Sequence, residues 1–425
     1  MNDDINIKTT KPKSPQPKVK PIPTADEPLD LASHPDAIQA GLGNKTSTPP
    51  DSVGASTNDS SLSEPVGGKR TKKPRRSPKQ WFKDLSKKQK ILLITAILLL
   101  LIGGSVSAYY LTKSEPAPAP QAVQPEPPKP TTEASKLTGV QVKPEMNKRS
   151  ITAVMIENST DARPQSGLAD AGVVFEAIAE GGITRFLTLF QESQPKNLGP
   201  VRSVRPYYID WLQGFDAAVA HAGGSADGLA KIRNEGVKDL DQFANPGAYR
   251  REASRVSPHN LYTSTAELDK LKTQKKFNTT DFKGFARKEE KASKTPTAKS
   301  LDFNISGFNF NPHYDYVAKT NSYSRSLAGV PHTDLNTKKQ IQVKVVVAMI
   351  MNYGIAANGV NSSYNSIGSG KVYVFQDGTV TEGTWEKTGS KKQVVFKDKN
   401  KKVIKLNPGN TWISAVGSAT GVTYK

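Results

Sequence analysis

The sequence predicts a mixed α/β (α+β) protein that is attached to a membrane by one apolar helix and has a disordered tail before that helix. A run of about 21 uncharged residues spans 91–111. Beyond it, segments typical of strands and helices alternate up to about residue 290, and two-residue periodicity dominates residues 300–425. The chain has 425 residues, no cysteine and a formal net charge of +20. The lack of cysteine excludes disulfide scaffolds, thiolate zinc sites and cysteine nucleophiles.

Residues 1–88 are predicted to form a disordered, basic tail in the cytoplasm. They are rich in Pro, Ser, Thr, Asp and Lys, and their apolar residues follow neither the strand nor the helix period. Residues 69–90 hold 11 Lys or Arg and one acid, Asp84. Basic residues that flank a membrane span stay in the cytoplasm, so this block predicts a cytoplasmic N-terminus.

Residues 89–111 are predicted to cross the membrane once, as an uncleaved signal-anchor. A helix over the uncharged run would be about 31 Å long, which matches the hydrocarbon core of a bilayer. The flanking charges argue against a buried core helix. Cleavage after Ala108 is an open alternative because Val106-Ser107-Ala108 has the small residues of a signal-peptidase site. The leader of about 90 residues is far longer than a usual signal-peptide n-region and favours the anchor.

Residues 112–136 are predicted to be a stalk, because seven of them are proline and favour an extended polyproline conformation. Such a stalk would hold a folded domain away from the bilayer. From residue 137 onward the composition is typical of a globular protein. Residues 137–425 contain 39 basic and 26 acidic residues, so we expect anionic partners.

An N-terminal domain is predicted over residues 137–290. Three segments are predicted to be helical: Val204–Leu212, Ser225–Arg233 and Ser264–Phe277. The pair Ser264 and Glu267 marks the start of the third helix as a capping box. Four apolar segments are predicted to be strands: Ile151–Ile156, Ala171–Ile178, Ile183–Phe190 and Ala217–Ala220.

A C-terminal domain is predicted over residues 300–425, beyond a charged, small-residue stretch at 286–300. Turn signals such as Asp377-Gly378 separate its short apolar segments, which indicates an antiparallel sheet. The predicted strands are Ile341–Met349, Lys371–Phe375, Val380–Trp385, Gln393–Phe396, Val403–Leu406 and Trp412–Ala415.

Polar residues that could bind a ligand are concentrated between residues 157 and 225, at the ends of predicted strands. Arginines in such positions can hold carboxylates or phosphates with two parallel hydrogen bonds. The glycines of a strand-to-helix turn allow a ligand to approach the backbone. The residues predicted to bind a ligand are Arg163, Arg185, Arg202, Arg205, His221, Gly223, Gly224, Ser225, His259 and Asn260.

Candidates for acid–base catalysis are Glu157, Glu180 and His221. A structural alternative exists for each: the glutamates could pair with arginines, and His221 could be a hydrogen-bonded core residue. In the same way, Ser225 could simply cap a helix. No two histidines have the spacing of metal ligands, so neither a metal site nor a cofactor is expected.

Several stretches of the chain resemble the YerB-like family of bacterial envelope proteins. They are ARPQSGLADAGVVFEAIAEGGITRFLTLFQ, LGPVRSVRPYYIDWLQGFDAAVAHAGGSADGL, SPHNLYTS and PGNTWISAVG. The resemblance covers about residues 137–425 and implies a three-layer β/β/α fold, but it implies no catalytic residues. Members are typically lipoproteins. This chain lacks the lipid-bearing cysteine, so we expect the membrane helix to replace that anchor.

Two functions are compatible with these residues. The first is the binding of an anionic envelope polymer or lipid head group in an arginine-lined cleft. The second is an envelope hydrolase or transferase that uses glutamate and histidine. A protein partner would be favoured if Tyr207, Tyr208 and Trp211 were exposed. We do not expect a nucleic-acid partner, because the position of the basic block beside the membrane accounts for its charge.

Overall fold

The structure is a computed structural model that describes residues 77–113 and 131–425. In the first range, helix α1 spans Pro78–Lys83 and helix α2 spans Lys87–Thr112. Helix α2 has no buried residue and is long and apolar enough to cross a membrane. It begins at Lys87, before the predicted start at residue 89, because a capping box precedes it. In this box Ser86 Oγ accepts from the Gln89 amide, and Gln89 Oε1 accepts from the Ser86 amide.

Two predicted boundaries differ from the structure. Disorder was predicted up to residue 88, but α1 is helical, with Pro78 in the first turn, where its missing N–H costs nothing. Most of the predicted tail and most of the stalk, residues 1–76 and 114–130, lie outside the described residues. The folded part starts before residue 137, because Glu133–Ala134 already pairs with Gln141–Val142.

Four helices and 21 strands follow in residues 131–425. The helices are α3 (Pro144–Asn147), α4 (Pro206–Gln213), α5 (Ala226–Glu235) and α6 (Thr265–Gln274). The strands up to residue 262 are β1 (Glu133–Ala134), β2 (Gln141–Val142), β3 (Thr152–Glu157), β4 (Val173–Glu180), β5 (Ile183–Phe190), β6 (Ala218–Ala220), β7 (Arg250–Arg251) and β8 (Leu261–Tyr262). The later strands are β9 (Ser300–Phe303), β10 (Pro312–Val317), β11 (Ser322–Leu327), β12 (Val330–Pro331), β13 (Gln342–Val343), β14 (Val345–Ile350), β15 (Tyr353–Ile355), β16 (Ser362–Tyr364), β17 (Gly368–Gln376), β18 (Thr379–Lys387), β19 (Val395–Asp398), β20 (Thr411–Val416) and β21 (Val422–Tyr424).

A nine-stranded sheet, in the order β19-β18-β17-β14-β20-β4-β5-β3-β6, forms the centre of the fold. It is mixed, because β20 runs parallel to both β14 and β4, and β3 runs parallel to β6. Strands from both halves of the sequence therefore share one sheet. Residues 275–299, all of which the structure describes, form no helix or strand between the halves.

The second sheet covers one face of the nine-stranded sheet, and helices cover the other. Side chains alternate along β4, so its neighbours Phe175 and Glu176 point to opposite faces. Phe175 stacks on Trp211 of α4, with ring centroids 5.2 Å apart. Glu176 contacts Arg325 of β11, which belongs to the sheet β12-β11-β10-β9-β21. The fold is thus a three-layer β/β/α arrangement, which confirms the predicted fold class.

Two of the strands predicted in the C-terminal half differ clearly from the structure. Val403–Leu406 is not a strand, because only isolated bridges, to Lys397 and Arg287, contact this stretch. The sequence of strand β14 has a two-residue periodicity that predicts burial of one face only, yet Val345 to Met349 are all buried. Its second face is covered as well, because the strand lies in the middle of a sheet with a layer on each side.

A buried ion pair joins the two sheets. Arg325 Nη2 donates to Glu176 Oε2 at 2.9 Å and to Oε1 at 3.1 Å, and neither side chain is exposed. Trp412 Nε1 donates to Glu176 Oε2 at 2.9 Å. The Arg325 guanidinium also lies 4.5 Å from the centroid of the Trp412 ring. Each charge therefore has a partner of opposite sign and further hydrogen bonds, as a buried charge requires.

The network continues from Arg325 to His332. Arg325 Nη1 donates to His332 Nδ1, and His332 Nε2 donates to Gln165 Oε1 at 2.9 Å. This arrangement requires a neutral imidazole that carries its proton on Nε2. Burial, with the positive charges of Arg325 and Arg163, holds the pKa of His332 well below its ordinary value of 6.5.

The ion pair yields a stability prediction. We expect Glu176→Gln to lower the free energy of unfolding by about 3–5 kcal/mol, because it leaves the buried Arg325 charge uncompensated. The double variant Glu176→Gln with Arg325→Met should recover part of that loss, since no charge remains buried there. Urea unfolding of residues 131–425 measures both. Additive losses would contradict the coupling.

His332 yields a pH prediction. Its pKa is lower in the folded than in the unfolded chain, so the unfolded chain binds more protons below about pH 6.5. Stability should therefore fall as the pH drops below that value, by up to about 1.4 kcal/mol per pH unit. We expect His332→Asn to flatten this slope in urea unfolding curves measured at several pH values.

His313 provides the matched control, because it titrates in the opposite sense. Although burial alone would lower it, hydrogen bonds to Asp302 and Asp315 raise the pKa of His313 above 6.5. Its contribution is therefore complete at low pH and disappears as the pH rises through its folded value. His313→Asn should reduce stability in acid and leave the acid-side loss from His332 in place. If stability depended on pH in the same way in His332→Asn and in His313→Asn, the opposite pKa shifts assigned to the two histidines would be contradicted.

Candidate functional site

Polar residues from distant parts of the sequence meet where β3 and β6 end. These strands are parallel, so both finish at the same edge of the nine-stranded sheet. The segment 201–205 lies between them: the Arg202 amide donates to Met155 O at 3.0 Å, and the Ala222 amide donates to Arg202 O at 3.1 Å. The stretches GPVRSVR and HAGGS, both predicted to contribute to a site, are thus neighbours.

Glu157, the last residue of β3, is the centre of a cluster at this edge. Its Oε1 lies 3.1 Å from Arg202 Nε and accepts from Ser159 Oγ at 3.0 Å. Its Oε2 lies 3.0 Å from His259 Nδ1. The carboxylate is 4% exposed, whereas Arg202 is 25% and His259 is 22% exposed. Glu157, Ser159, Arg202 and His259 are called the Glu157 cluster below.

The Glu157 cluster presents hydrogen-bond donors toward solvent. Within residues 77–113 and 131–425, the terminal Nη atoms of Arg202 make no hydrogen bond to another side chain or to the backbone. His259 Nε2 faces only the exposed Asp161, whose Oδ2 is 4.0 Å away. Glu157 thus contacts Arg202 and His259 on the side that faces the protein interior. The Nη atoms of Arg202 and the Nε2 atom of His259 remain available to a ligand. This arrangement suits the recognition of a carboxylate or a phosphate.

Further arginines hold the loop that carries His259. Arg251 Nη1 donates to Asn260 Oδ1 at 2.7 Å. Arg255 donates to Asp161 O at 3.2 Å and to Pro164 O at 2.7 Å, which ties the two loops together. The predicted residue Asn260 therefore lies next to His259 in this loop and is bound to Arg251 and to the Arg255 carbonyl. The cationic side chains also favour an anion nearby.

The cluster does not have the geometry of a serine protease triad. Ser159 Oγ and Glu157 Oε2 both approach the same nitrogen, His259 Nδ1, at 3.3 and 3.0 Å. A Ser–His–acid relay requires the serine and the acid on opposite ring nitrogens. Ser159 was not among the predicted site residues, although its position two residues after the catalytic candidate Glu157 was an available signal.

Glu180 lies at the end of β4 and is bound by two of the predicted arginines. Arg185 Nη2 donates to Glu180 Oε1, and Arg205 Nη2 donates to Glu180 Oε2. Burial and the nearby Arg185 charge lower the pKa of Arg205, whereas Glu180 raises it. Arg185 and Arg205 thus each bind Glu180 through a terminal nitrogen. Glu180 is therefore paired with arginines, as in the structural alternative for this residue.

His221 is fully buried and hydrogen-bonded on both ring nitrogens. Nδ1 lies 2.8 Å from Gly223 O, and Nε2 lies 2.9 Å from Asp239 Oδ1. The Gly223 amide donates to Asp241 Oδ1, and Ser225 Oγ caps α5 by accepting from the Gly228 amide at 3.3 Å. This geometry favours the structural alternative for His221 and Ser225.

Gly224 has a packing role in the same turn. A Cβ atom added at Gly224 would lie 2.9 Å from Val204 Cγ1. The small residue therefore allows the HAGGS turn to lie directly against the segment 201–205.

Arg163 lies apart from the other predicted arginines. It donates to Asn158 Oδ1 at 3.1 Å and to Asn309 O at 2.7 Å, and it lines a cavity of about 180 Å³ with Pro164 and His332. Burial and the charge of Arg325 lower the pKa of Arg163 to about 10. The predicted arginines thus occupy three environments: the Glu157 cluster, the Glu180 pair and this small cavity.

The aromatic residues considered for a protein partner are core residues. Tyr207, Tyr208 and Trp211 are all buried. The Tyr207 hydroxyl donates to Ile178 O, and the Tyr208 hydroxyl donates to Ala177 O. In residues 77–113 and 131–425 there is also no group of three or more His, Asp or Glu side chains placed to hold a metal ion.

Comparison with known proteins gives consistent matches over the folded part. Residues 137–279 match the family model described as "Protein of unknown function (DUF3048) N-terminal domain", and residues 301–413 match its C-terminal counterpart. The chain is 30% identical over 285 residues to YerB of Bacillus subtilis, which is described as a candidate lipoprotein. That match covers 66% of this chain and 85% of YerB.

The crystal structure of Bacillus subtilis YerB has the same fold. It superposes with a TM-score of 0.63 at 29% identity, over 68% of this chain and 99% of the YerB chain. These matches confirm the resemblance inferred from the motifs at 162–225 and 257–264. The chain therefore belongs to the DUF3048 family of YerB-like proteins.

Proposed function

We propose that this protein is anchored in the cell membrane by α2 and binds an anionic envelope ligand outside the cytoplasm, at the Glu157 cluster. The observation that carries the binding proposal is the free guanidinium edge of Arg202, which Glu157 holds in place. A planar fork of donors suits carboxylate and phosphate oxygens, because both oxygens of such a group can be bound at once.

The anchor is supported by the composition of the chain and by its relative. YerB is described as a candidate lipoprotein, which would be attached to a membrane through lipid on a cysteine. The present chain has no cysteine but has a helix long and apolar enough to span a bilayer. The basic residues at 69–90 favour a cytoplasmic N-terminus and an extracytoplasmic body.

Pre-positioning makes the Glu157 cluster a suitable binding site. The buried carboxylate orients Arg202 and His259 before a ligand arrives, so less side-chain freedom is lost on binding. Carboxylates of uronic acids, phosphates of wall polymers and phosphates of lipid head groups share the required chemistry. All four residues of the cluster lie within the range 137–279 that the family model covers, which is compatible with a site shared by the family.

A second candidate function is hydrolysis or group transfer on an envelope polymer. It is favoured by one observation: Glu157 holds His259 through Nδ1 and leaves Nε2 accessible, as in a carboxylate-oriented general base. The two functions differ in their requirements. Turnover would be abolished by His259→Asn, whereas binding alone would survive in that variant with reduced affinity. The release of soluble fragments from purified cell wall distinguishes them.

We expect Arg202→Gln to weaken the binding of glucuronate, glycerol phosphate or anionic wall fragments by about tenfold to a hundredfold, the value of one charge-assisted contact. Arg202→Lys should recover only part of the affinity, because an ammonium cannot bind two oxygens in parallel. Isothermal titration calorimetry of residues 131–425 measures the dissociation constants.

Arg233→Gln is the matched control for charge, since Arg233 is exposed on α5 outside the cluster. Equal affinity in the parent and in Arg202→Gln would exclude the Glu157 cluster as the site. A similar loss in Arg233→Gln would show that only net charge matters. Thermal unfolding of each variant establishes that the fold is retained.

The topology can be tested with fusions placed after residue 136. We expect alkaline phosphatase to be active and green fluorescent protein to be dark there, and the reverse pattern for fusions after residue 86. A membrane-bound product of full mass would support the uncleaved anchor, and loss of about 108 residues would indicate cleavage after Ala108. Cytoplasmic activity of the fusion after residue 136 would contradict the proposed orientation.

A further inference from the structure

A cavity of about 650 Å³ lies apart from the Glu157 cluster, between the loop 281–286 and the segment 391–404. Its size is in the range of cavities that enclose small organic ligands. It is bordered by residues from both halves of the sequence, including Gly214, which follows α4. None of the four residues of the Glu157 cluster lines it.

One wall of the cavity is aromatic. Phe285 and Phe396 stack with ring centroids 5.6 Å apart and an interplanar angle of 14°. Phe282 lies beside them and packs on the buried Phe215, with centroids 5.9 Å apart. Phe282 and Phe285 remain partly exposed, so the cavity offers a flat apolar surface to a ligand.

Gln393 contributes an unpaired amide group to the lining. Both its Oε1 and its Nε2 are shielded from solvent, and neither has a hydrogen-bond partner among the described residues. Buried polar groups are normally paired, so an amide with both atoms unpaired has an unmet need for one donor and one acceptor. A secondary amide of a ligand would provide both once the Gln393 side chain turns toward the cavity, because neither atom is accessible in the present rotamer.

The backbone around Gln393 is held firmly in place. A Cβ atom at Gly214 would lie only 2.8 Å from Gln393 Cα, so the end of α4 packs directly on this residue. The preceding turn is fixed by the Lys387 ammonium, which donates to Gly389 O at 3.0 Å, to Ser390 O at 2.7 Å and to Lys392 O. The backbone that carries the unpaired amide is therefore rigid, and only the Gln393 side chain has to move for the amide to face the cavity.

The rim of the cavity is positively charged. Lys283, Lys391 and Lys392 line it and are exposed, and their ammonium groups form no ion pair or hydrogen bond with the described residues. Asp281 is the acid among the lining residues. Three lysines against one carboxylate favour a ligand that carries negative charge.

We infer that this cavity binds a small acylated anion, in which an apolar group packs on Phe282 and Phe285, a secondary amide pairs with Gln393, and a carboxylate or phosphate meets the lysine rim. Each of these three features of the ligand answers a separate feature of the wall. The site is independent of the anion site proposed at the Glu157 cluster.

Three probes separate the contributions. N-acetyl-L-phenylalanine carries the ring, the amide and the carboxylate. N-acetyl-L-phenylalaninamide lacks the charge, and 3-phenylpropionate lacks the acetylated amide. We expect N-acetyl-L-phenylalanine to bind tightest, and the other two to bind at least about threefold more weakly, in ligand titrations followed by NMR of residues 131–425. Added salt should weaken the two anions more than the neutral probe.

The variant Gln393→Leu gives the sharpest test. It should raise the melting temperature of the free protein, because it removes an unpaired buried amide at nearly constant volume. It should also weaken N-acetyl-L-phenylalanine by about fivefold or more and leave 3-phenylpropionate unchanged. If Gln393 had only a structural role, the substitution would not both raise the stability of the protein and weaken amide binding.

Lysine variants test the role of the charged rim and provide a control for net charge. Lys391→Gln with Lys392→Gln should weaken both anionic probes, whereas Lys319→Gln, an exposed lysine on the β10–β11 turn, should have no effect. The inference is overturned if none of the probes shifts resonances of the cavity residues. It is also overturned if the three probes bind equally, or if Gln393→Leu leaves the ranking unchanged in a folded protein.

Discussion

The buried ion pair between Glu176 and Arg325 is the constraint on which the three-layer arrangement depends. Glu176 lies on a central strand and Arg325 on the second sheet, so the pair fixes how the two sheets meet. Two charges are stable there only because Trp412, Tyr314 and His332 provide the remaining hydrogen bonds. A small shift between the sheets would break several of these bonds at once. The pair therefore favours one register of the two layers over others.

Apolar runs, turn residues and capping residues in the sequence predicted the elements that are stabilised by interactions between residues close in the sequence. Strands β4 and β5 were predicted from two apolar runs, which lie on either side of Glu180-Gly181-Gly182, and β5 has the predicted bounds. Helix α6 begins after Ser264 as predicted, but only half of the predicted capping box forms: the Ser264 hydroxyl accepts from the Glu267 amide, whereas the Glu267 carboxylate accepts from Lys270. Strands β10 and β11 were missed because polar residues such as Ser324 and Asp315 interrupt their apolar pattern. Their stability comes from packing against residues that are distant in the sequence.

The candidate site shows the same division. Sequence reasoning identified the segments 157–165, 199–205 and 221–225, and the structure brings their backbones together. It could not decide which arginine is free, because pairing depends on the fold. Arg185 and Arg205 meet Glu180, whereas Arg202 keeps an open edge. The unpaired amide of Gln393 has no sequence signature at all, since only the packing of Gly214 and the turn before residue 393 isolates it.

The position of β20 has a consequence for biosynthesis. This strand, Thr411–Val416, inserts between β4 and β14, and the contact between Glu176 and Ser414 joins residues 238 positions apart. During translation the earlier half must therefore wait, with one side of β4 unpaired, until the ribosome has released residues near 416. Unpaired strands of this kind attract other chains. We expect nascent molecules to require a chaperone, and truncation before residue 411 to produce aggregates rather than a folded N-terminal half.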